Sequence, residues 1–388
     1  MRSFTYHVPT EIVFGAGSEA KAGELCRKHG GKRILVVSGG RSARRSGLLD
    51  RLSGYLSQAG CTVCLFEGAQ PNPLVSHARE GVALAQREKI DMILAVGGGS
   101  AIDTAKAIAV GALLPQHDLW DIWSGRIPVS EHLPVGVVLT IPAAGSETSA
   151  SAILSNPETC EKLSLRSALN IPCFAILDPR LPATLSSRQV ACGVVDIMMN
   201  TLDRYFNGVF DNETSDALAE ALLRTVIRNG ILAVKDPTDE HAMSELMWCG
   251  SLSHNSLTGL GGTRDFAVHK LGNELSACYN VIHADSLSTM WTAWGNYVCN
   301  SHPDRFAQLG QKVFGLSGDD LAHRTIRRVQ AYFRELGMPV SLRELGIPPQ
   351  EATRLAKCCS HNGEKTIGVF QTLHKQDMEQ IYAAAYEE

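Results

Sequence analysis

Hydrophobic and polar positions change their period part-way along the chain. In the first half, short aliphatic runs alternate with stretches of helical spacing. Arg33–Ser38 (RILVVS) and Asp91–Val96 (DMILAV) are continuous apolar runs, each followed by glycines. Runs of this kind suit strands of a parallel sheet covered on both faces, because neither face has to present polar groups to water. Between them, Gly47–Ala59 and Ser76–Glu88 place apolar residues on one helical face and charges on the other. A third run, Val135–Ile141, ends at Pro142, and a fourth, Cys173–Leu177, ends at Asp178-Pro179. Strands alternating with helices predict right-handed crossovers and a doubly wound sheet.

After about Pro182 the pattern is helical. The spacing predicts helices over Ser186–Tyr205, Asn212–Asn229, Asp239–Leu257, Asp265–Cys278 and Ser286–Asn300. Four more follow, over Asp304–Phe314, Ala322–Leu336, Pro349–Cys359 and Lys375–Tyr386. Ser186 and Ser187 offer N-cap hydroxyls, while Gly315, Gly337 and Gly346 stand where helices would stop. The chain therefore divides into an α/β, Rossmann-like dinucleotide-binding domain over 1–181 and an all-α domain over 182–388. A cleft between two such domains is the default place for a site.

Composition narrows the classes. The 388 residues carry 36 Lys and Arg against 40 Asp and Glu, a formal net charge of −4. That balance lacks the positive field of a nucleic-acid binder, and the only basic concentration is Arg41–Arg45. No apolar stretch reaches the ~20 residues of a membrane span. Met1–Phe14 lacks the order of a secretory leader, so no signal peptide is expected, and the cysteine usage makes a reducing cytoplasm the simplest setting. The eleven cysteines are odd in number and scattered, unlike a disulfide framework. Cys61-Thr-Val-Cys64 has CxxC spacing but lies in an alternating run with no second pair, and reads as strand core. Cys358-Cys359 reads as a pair of partly buried thiols.

Two glycine turns are candidate cofactor contacts. Gly97-Gly98-Gly99-Ser100 follows the DMILAV strand and opens a helix over Ser100–Ala112. Glycines let the backbone approach a pyrophosphate, and a helix N-terminus supplies free N–H groups. A tight turn with no ligand is the plainer alternative. Gly15-Ala-Gly17-Ser-Glu-Ala20 also fits a dinucleotide pattern but follows a very short strand, and reads as a structural turn. Gly39-Gly40-Arg41-Ser42 follows RILVVS, where a dinucleotide sheet often places a carboxylate on the ribose 2′-hydroxyl. Glycine there, with Arg41, Arg44 and Arg45 close behind, favours NADP(H) over NAD(H).

Asp196 and Asn200 lie four apart in a helical run and share a face, while His269 lies on a predicted helix and His283 in or just beyond the following loop. Their spacing alone does not define a metal site. A set of short motifs occurs in order: Phe14-Gly15-x-Gly17, Pro71-Asn72-Pro73, Gly97-Gly98-Gly99-Ser100-x-x-Asp103, Thr140-x-Pro142-x-x-Gly145-Ser146-Glu147, Leu177-Asp178-Pro179, Val195-Asp196 and His269…His283. Over essentially its whole length the chain resembles the iron-containing (group III) alcohol dehydrogenases. Within that family it is most similar to the branch of NADP-dependent butanol dehydrogenases and aldehyde reductases.

The resemblance implies a Rossmann-like domain, a helical domain, a homodimer and a divalent metal, iron or zinc. It implies that Gly39, Gly40 and Ser42 meet the adenosine ribose, with Arg41 beside them. Gly98, Gly99, Ser100 and Asp103 would meet the pyrophosphate, and Asn72, Thr140 and Lys162 would be further cofactor contacts. Family members hold the metal with an aspartate, a histidine four residues on and two further histidines. Asp196, His269 and His283 match three of these, but Asn200 stands where the family has histidine. Asn273 stands one turn after His269, where relatives commonly have histidine beside the nicotinamide, and Ala144 replaces a threonine. The implied activity is NADP-dependent interconversion of small alcohols and aldehydes, with the metal weakly held because an amide is a poor ligand for zinc and softer ions. The alternative is a dinucleotide-binding sensor or assembly subunit without turnover.

Overall fold

The computed structural model describes residues 2–159 and 161–387, so Met1, Cys160 and Glu388 lie outside the described residues. The chain forms two compact units. One comprises His7–Leu185 and Pro237–Ser251; the other comprises Met1–Tyr6, Ser186–Asp236 and Leu252–Glu388. The boundary expected at 181/182 falls inside a 3-10 turn, Leu181–Thr184. The division comes at Ser186 because that residue opens the next helix with a capping box, its hydroxyl accepting from the Gln189 N–H while the Gln189 side chain accepts from the Ser186 N–H. Two segments also belong to a different unit from the one expected, Met1–Tyr6 and Pro237–Ser251.

The first unit runs β1 (Glu11–Phe14), α1 (Ala22–Lys28), β2 (Arg33–Ser38), α2 (Ser42–Arg45), α3 (Leu48–Gln58), β3 (Thr62–Glu67), α4 (Val75–Arg87), β4 (Met92–Gly97), α5 (Gly99–Leu113), α6 (Leu119–Trp123) and β5 (Val135–Leu139). It continues through β6 (Ser151–Asn156), β7 (Glu161–Arg166) and β8 (Phe174–Leu177). Six strands form a wholly parallel sheet in the order β1-β8-β5-β4-β2-β3. Alternate residues of the aliphatic runs enter opposite cores. Ile34, Val36, Leu94, Val96 and Ile176 pack with Leu49, Leu52 and Leu56 on one side. Leu35, Val37, Ile93, Ala95 and Val137 pack with Ile102, Ala105 and Ile108 on the other. Each such Val, Leu or Ile side chain, once buried, stabilises the fold by ~1.5–3 kcal/mol. The antiparallel β6–β7 hairpin, which sequence periodicity did not anticipate, stands outside this sheet.

The remaining helices are α7 (Ser187–Tyr205), α8 (Glu213–Lys235), α9 (Glu240–His254), α10 (Ala267–Tyr279), α11 (His283–Val298), α12 (Pro303–Phe314), α13 (Leu321–Glu335), α14 (Ala352–Cys359) and α15 (Lys375–Ala384). Most of α9 belongs with the sheet: its Met247 is part of the sheet core. Within the helical unit α7 is central, every residue from Gly193 to Tyr205 being buried. A helix buried all round that still carries Asp196, Asn200, Asp203 and Arg204 must satisfy those groups internally. No helix among the described residues is long and apolar enough to cross a membrane.

Candidate active site

In the α/β unit the strand order reverses between β2 and β4, whose chain continuations run to opposite sides of the sheet. Ligands of doubly wound sheets bind outside the carboxyl ends of the strands at such a switch point. The turn there requires glycine. Gly97 has φ +156°, and a Cβ on it would lie 2.7 Å from that of Ala101. A Cβ on Gly98 would meet Ile141 at 3.0 Å. Gly98 caps α5 with no side-chain acceptor for the first N–H groups, which is what an anion at a helix N-terminus would replace. Gly99 and Ser100 are half-buried in the first turn. Thr140, directly after β5, donates its N–H to the Gly97 carbonyl at 3.0 Å and so joins the same edge.

Asn72 and Lys162, ninety residues apart, meet in a hydrogen bond of 3.0 Å from Nζ to Oδ1. Asn72 adopts φ +56°, a conformation asparagine tolerates better than most residues. Asp103 differs from its expected part. It is buried, with Oδ1 accepting from Ser146 Oγ at 2.6 Å and Oδ2 from the Ile153 N–H at 3.1 Å. It therefore positions the 146–153 segment. Burial raises its pKa.

Lys106, one turn along α5, holds the same segment. Its ammonium donates to the carbonyls of Ser146, Ser149 and Ser151 at 2.7, 2.9 and 2.8 Å. Burial pushes its pKa down to about 8, against the attraction of Asp103 and Glu147. Glu147 is buried as well and accepts from Ser251 Oγ at 2.5 Å, its pKa raised by burial. Sequence reading missed Lys106 and Ser251. The signal for Lys106 was a cation three residues after an aspartate inside an otherwise apolar helix.

Gly39, Gly40, Arg41 and Ser42 follow β2, the last two exposed. A side chain at Gly40 would meet nothing within 4 Å. The basic cluster is weaker than its composition suggests, because Arg44 pairs in a fork with Glu67 at the end of β3. Ser38 and Glu67 are register partners, so the neighbouring strand supplies a carboxylate beside the position where β2 lacks one. Arg41 and Arg45 make no side-chain hydrogen bond or ion pair among the described residues.

The second constellation lies wholly in the helical unit. One ligand atom each from Asp196 (α7), His269 (α10) and His283 (α11) lies within 4.8 Å of the others. The two imidazole rings are 5.3 Å apart between centroids. His283 opens α11 as its first residue, rather than lying in the preceding loop. Asn280, in the left-handed region at φ +53°, ends α10 and turns the chain so that the two histidines face each other.

His269 Nδ1 hydrogen-bonds to the buried Asp203 carboxylate. That bond fixes the tautomer and leaves Nε2 as the donor atom available to a metal. Asp203 lies seven residues after Asp196 on the same helical face, a signal sequence reading did not use. Behind it, the Asp265 N–H donates to the Asp203 carbonyl at 2.9 Å. Burial, and then the charge of Asp203, pushes the Asp265 carboxyl up to about 6.

Asn200 does share its face with Asp196. Its Nδ2 donates to Asp196 Oδ1 at 2.8 Å and to the Asp196 carbonyl at 3.0 Å. Its Oδ1 is buried without a hydrogen bond. The amide thus orients the aspartate, with its own oxygen left over. Asn273, one turn after His269, likewise has a buried Oδ1 without a hydrogen bond.

Comparison with known proteins gives consistent relatives. Residues 9–179 match the family model described as iron-containing alcohol dehydrogenase, and residues 190–386 match the Fe-containing alcohol dehydrogenase family, C-terminal. The chain is 35% identical to NADH-dependent butanol dehydrogenase A of Clostridium acetobutylicum, covering 100% of both chains. It is 34% identical to the NADPH-dependent aldehyde reductase YqhD of Escherichia coli, covering 99% of this chain and 100% of that one. The crystal structure of NADH-dependent butanol dehydrogenase A from Thermotoga maritima superposes with a TM-score of 0.96 at 32% identity, covering 100% of this chain and 99% of that one. That of E. coli K-12 YqhD gives 0.94 at 33%, covering 99% of each.

Proposed function

The chain belongs to the iron-containing alcohol dehydrogenase family, and from that premise we propose that it interconverts small alcohols and aldehydes using NADP(H) and a divalent metal held by Asp196, His269 and His283. The observation that carries this reading is the convergence of those three donor groups, from three helices, within 4.8 Å. One carboxylate and two imidazoles suit zinc or iron(II). The leftover Asn200 oxygen is a further neutral donor on the same helix face. A bound divalent ion supplies Lewis acidity toward the substrate oxygen.

The protein's own groups do the rest. Asp203 holds the His269 ring in one tautomer. Asn200 holds the Asp196 carboxylate. The uncapped first turn of α5 binds the dinucleotide pyrophosphate, and Lys106 with Asp103 keeps the Gly145–Glu147 loop in place to support the nicotinamide. Asn273 can hydrogen-bond but cannot carry a proton, so the proton of the alcohol passes through water. For the 2′-phosphate, support comes from Gly39 and from the guanidinium of Arg41, while Glu67 occupies Arg44. The relatives include both NADH- and NADPH-dependent enzymes.

Asn200 also favours a second reading, a dinucleotide-binding protein without turnover, because its amide donates to the aspartate that would bind the metal. Elemental analysis of protein purified without chelators, together with NADPH oxidation on short aldehydes, separates the two. The enzyme reading expects retained iron or zinc, aldehyde-dependent NADPH consumption, and about tenfold tighter metal retention in Asn200→His. Metal-free protein that binds NADPH, consumes none, and is unchanged by Asn200→His favours the second reading.

A further inference from the structure

The adjacent cysteines Cys358 and Cys359 end α14, and the helix sends them in different directions. Cys359 is buried, and burial first of all pushes its thiol up to about 12. Cys358 is exposed. Its sulfur meets two groups from α10, the Cys278 thiol and the Glu274 carboxylate, and all three ligand atoms lie within 4.8 Å of one another. Glu274 and Cys278 are one turn apart on the same face of α10, so a single helix presents both, while α14 supplies the third group.

We propose that Glu274, Cys278 and Cys358 form a second cation site, for a thiophilic divalent ion of the zinc class, separate from the Asp196–His269–His283 cluster. Two thiolates and a carboxylate match zinc chemistry, with water as the fourth ligand. In a tetrahedron with zinc–sulfur bonds of ~2.3 Å and a zinc–oxygen bond of ~2.0 Å the sulfurs lie ~3.8 Å apart and the oxygen ~3.5 Å from each, so closure needs little more than about 1 Å of side-chain movement. Cys358 is at the surface and can make that movement by rotamer change. Binding releases the two thiol protons to solvent and leaves oxidation states unchanged. Arg354 lies beside the cluster: its charged form is favoured first by its bond to Glu351 and next by the field of Cys278.

Cobalt(II) reports on this site selectively, because a thiolate-to-cobalt charge-transfer band cannot arise from aspartate and histidine ligands. Reduced, metal-free full-length protein titrated with cobalt(II) is expected to develop that band and lose it on addition of zinc. Cys278→Ser and Cys358→Ser should each abolish the band, while Cys359→Ser and His269→Ala should leave it. With zinc present, alkylation of Cys358 by iodoacetamide, followed by peptide mass spectrometry, should slow at least about tenfold. Either of two outcomes overturns the proposal. One is that no band forms, or that the band survives both serine variants. The other is that Cys278 and Cys358 are recovered as a disulfide whose formation zinc does not slow.

Discussion

The glycine turn after β4 and the ligand cluster of α7, α10 and α11 are built on opposite principles. The turn offers backbone. In the proposed function its N–H groups and the α5 dipole would be the binding groups, and what the residues contribute is the absence of side chains at Gly97 and Gly98. The cluster offers side chains, two of them oriented by a buried partner: Asp203 orients His269 and Asn200 orients Asp196. A backbone site fails when something is added. A side-chain site fails when something is removed or misdirected.

The largest effect should come from removal. His283→Ala takes one of three donors from a site whose fourth is only an amide, and is expected to eliminate bound metal and lower aldehyde-dependent NADPH oxidation by at least about a thousandfold. Metal stoichiometry and initial rates check this. Normal metal content with a lowered melting temperature would instead make His283 a structural residue.

Addition to the turn should come next. Gly98→Val places methyl groups against Ile141 and across the first N–H groups of α5. NADPH affinity should fall at least about a hundredfold, ~2.7 kcal/mol, measured by calorimetry. Metal content should not change, and loss of both together would break the contrast between the two regions.

Misdirection without removal is expected to be milder. Asp203→Asn keeps the volume but loses the charge that orients His269, and metal affinity should fall roughly ten- to a hundredfold. Competition with a chelator measures this, and a variant with unaltered affinity would reduce Asp203 to packing.

The smallest effect concerns dinucleotide choice. Arg41→Ala should narrow the preference for NADPH over NADH by up to about tenfold, ~1.4 kcal/mol, without weakening NADH. An unchanged ratio would move the role to Arg45, since Glu67 already engages Arg44.

What the sequence by itself determined follows from local rules. The parallel sheet was legible because Ile34–Val37 and Met92–Val96 are apolar at every position, and only strands buried on both faces tolerate that. The glycine turn was legible because its residues are contiguous and their backbone requirement is written in the residue type. The helices from Ser187 onward were legible from their 3.6-residue period and their capping residues. The ordered motifs of the family pointed to Asp196, His269 and His283, whose ligand atoms the fold brings within 4.8 Å of one another.

Tertiary structure decided everything that joins residues distant in sequence. Asn72 meets Lys162, Arg44 meets Glu67, and Glu274 and Cys278 meet Cys358, pairings that no period records. Asp103 and Lys106 were turned inward to hold the 146–153 segment because buried charges must find partners: the Ser146 hydroxyl and the Ile153 N–H were in reach of the carboxylate, and the carbonyls of Ser146, Ser149 and Ser151 in reach of the ammonium. His283 became the first residue of a helix because the left-handed Asn280 turns the chain directly into it. Hydrophobic period and turn chemistry act over a few residues, whereas partner choice among polar groups depends on which groups the packed core leaves side by side.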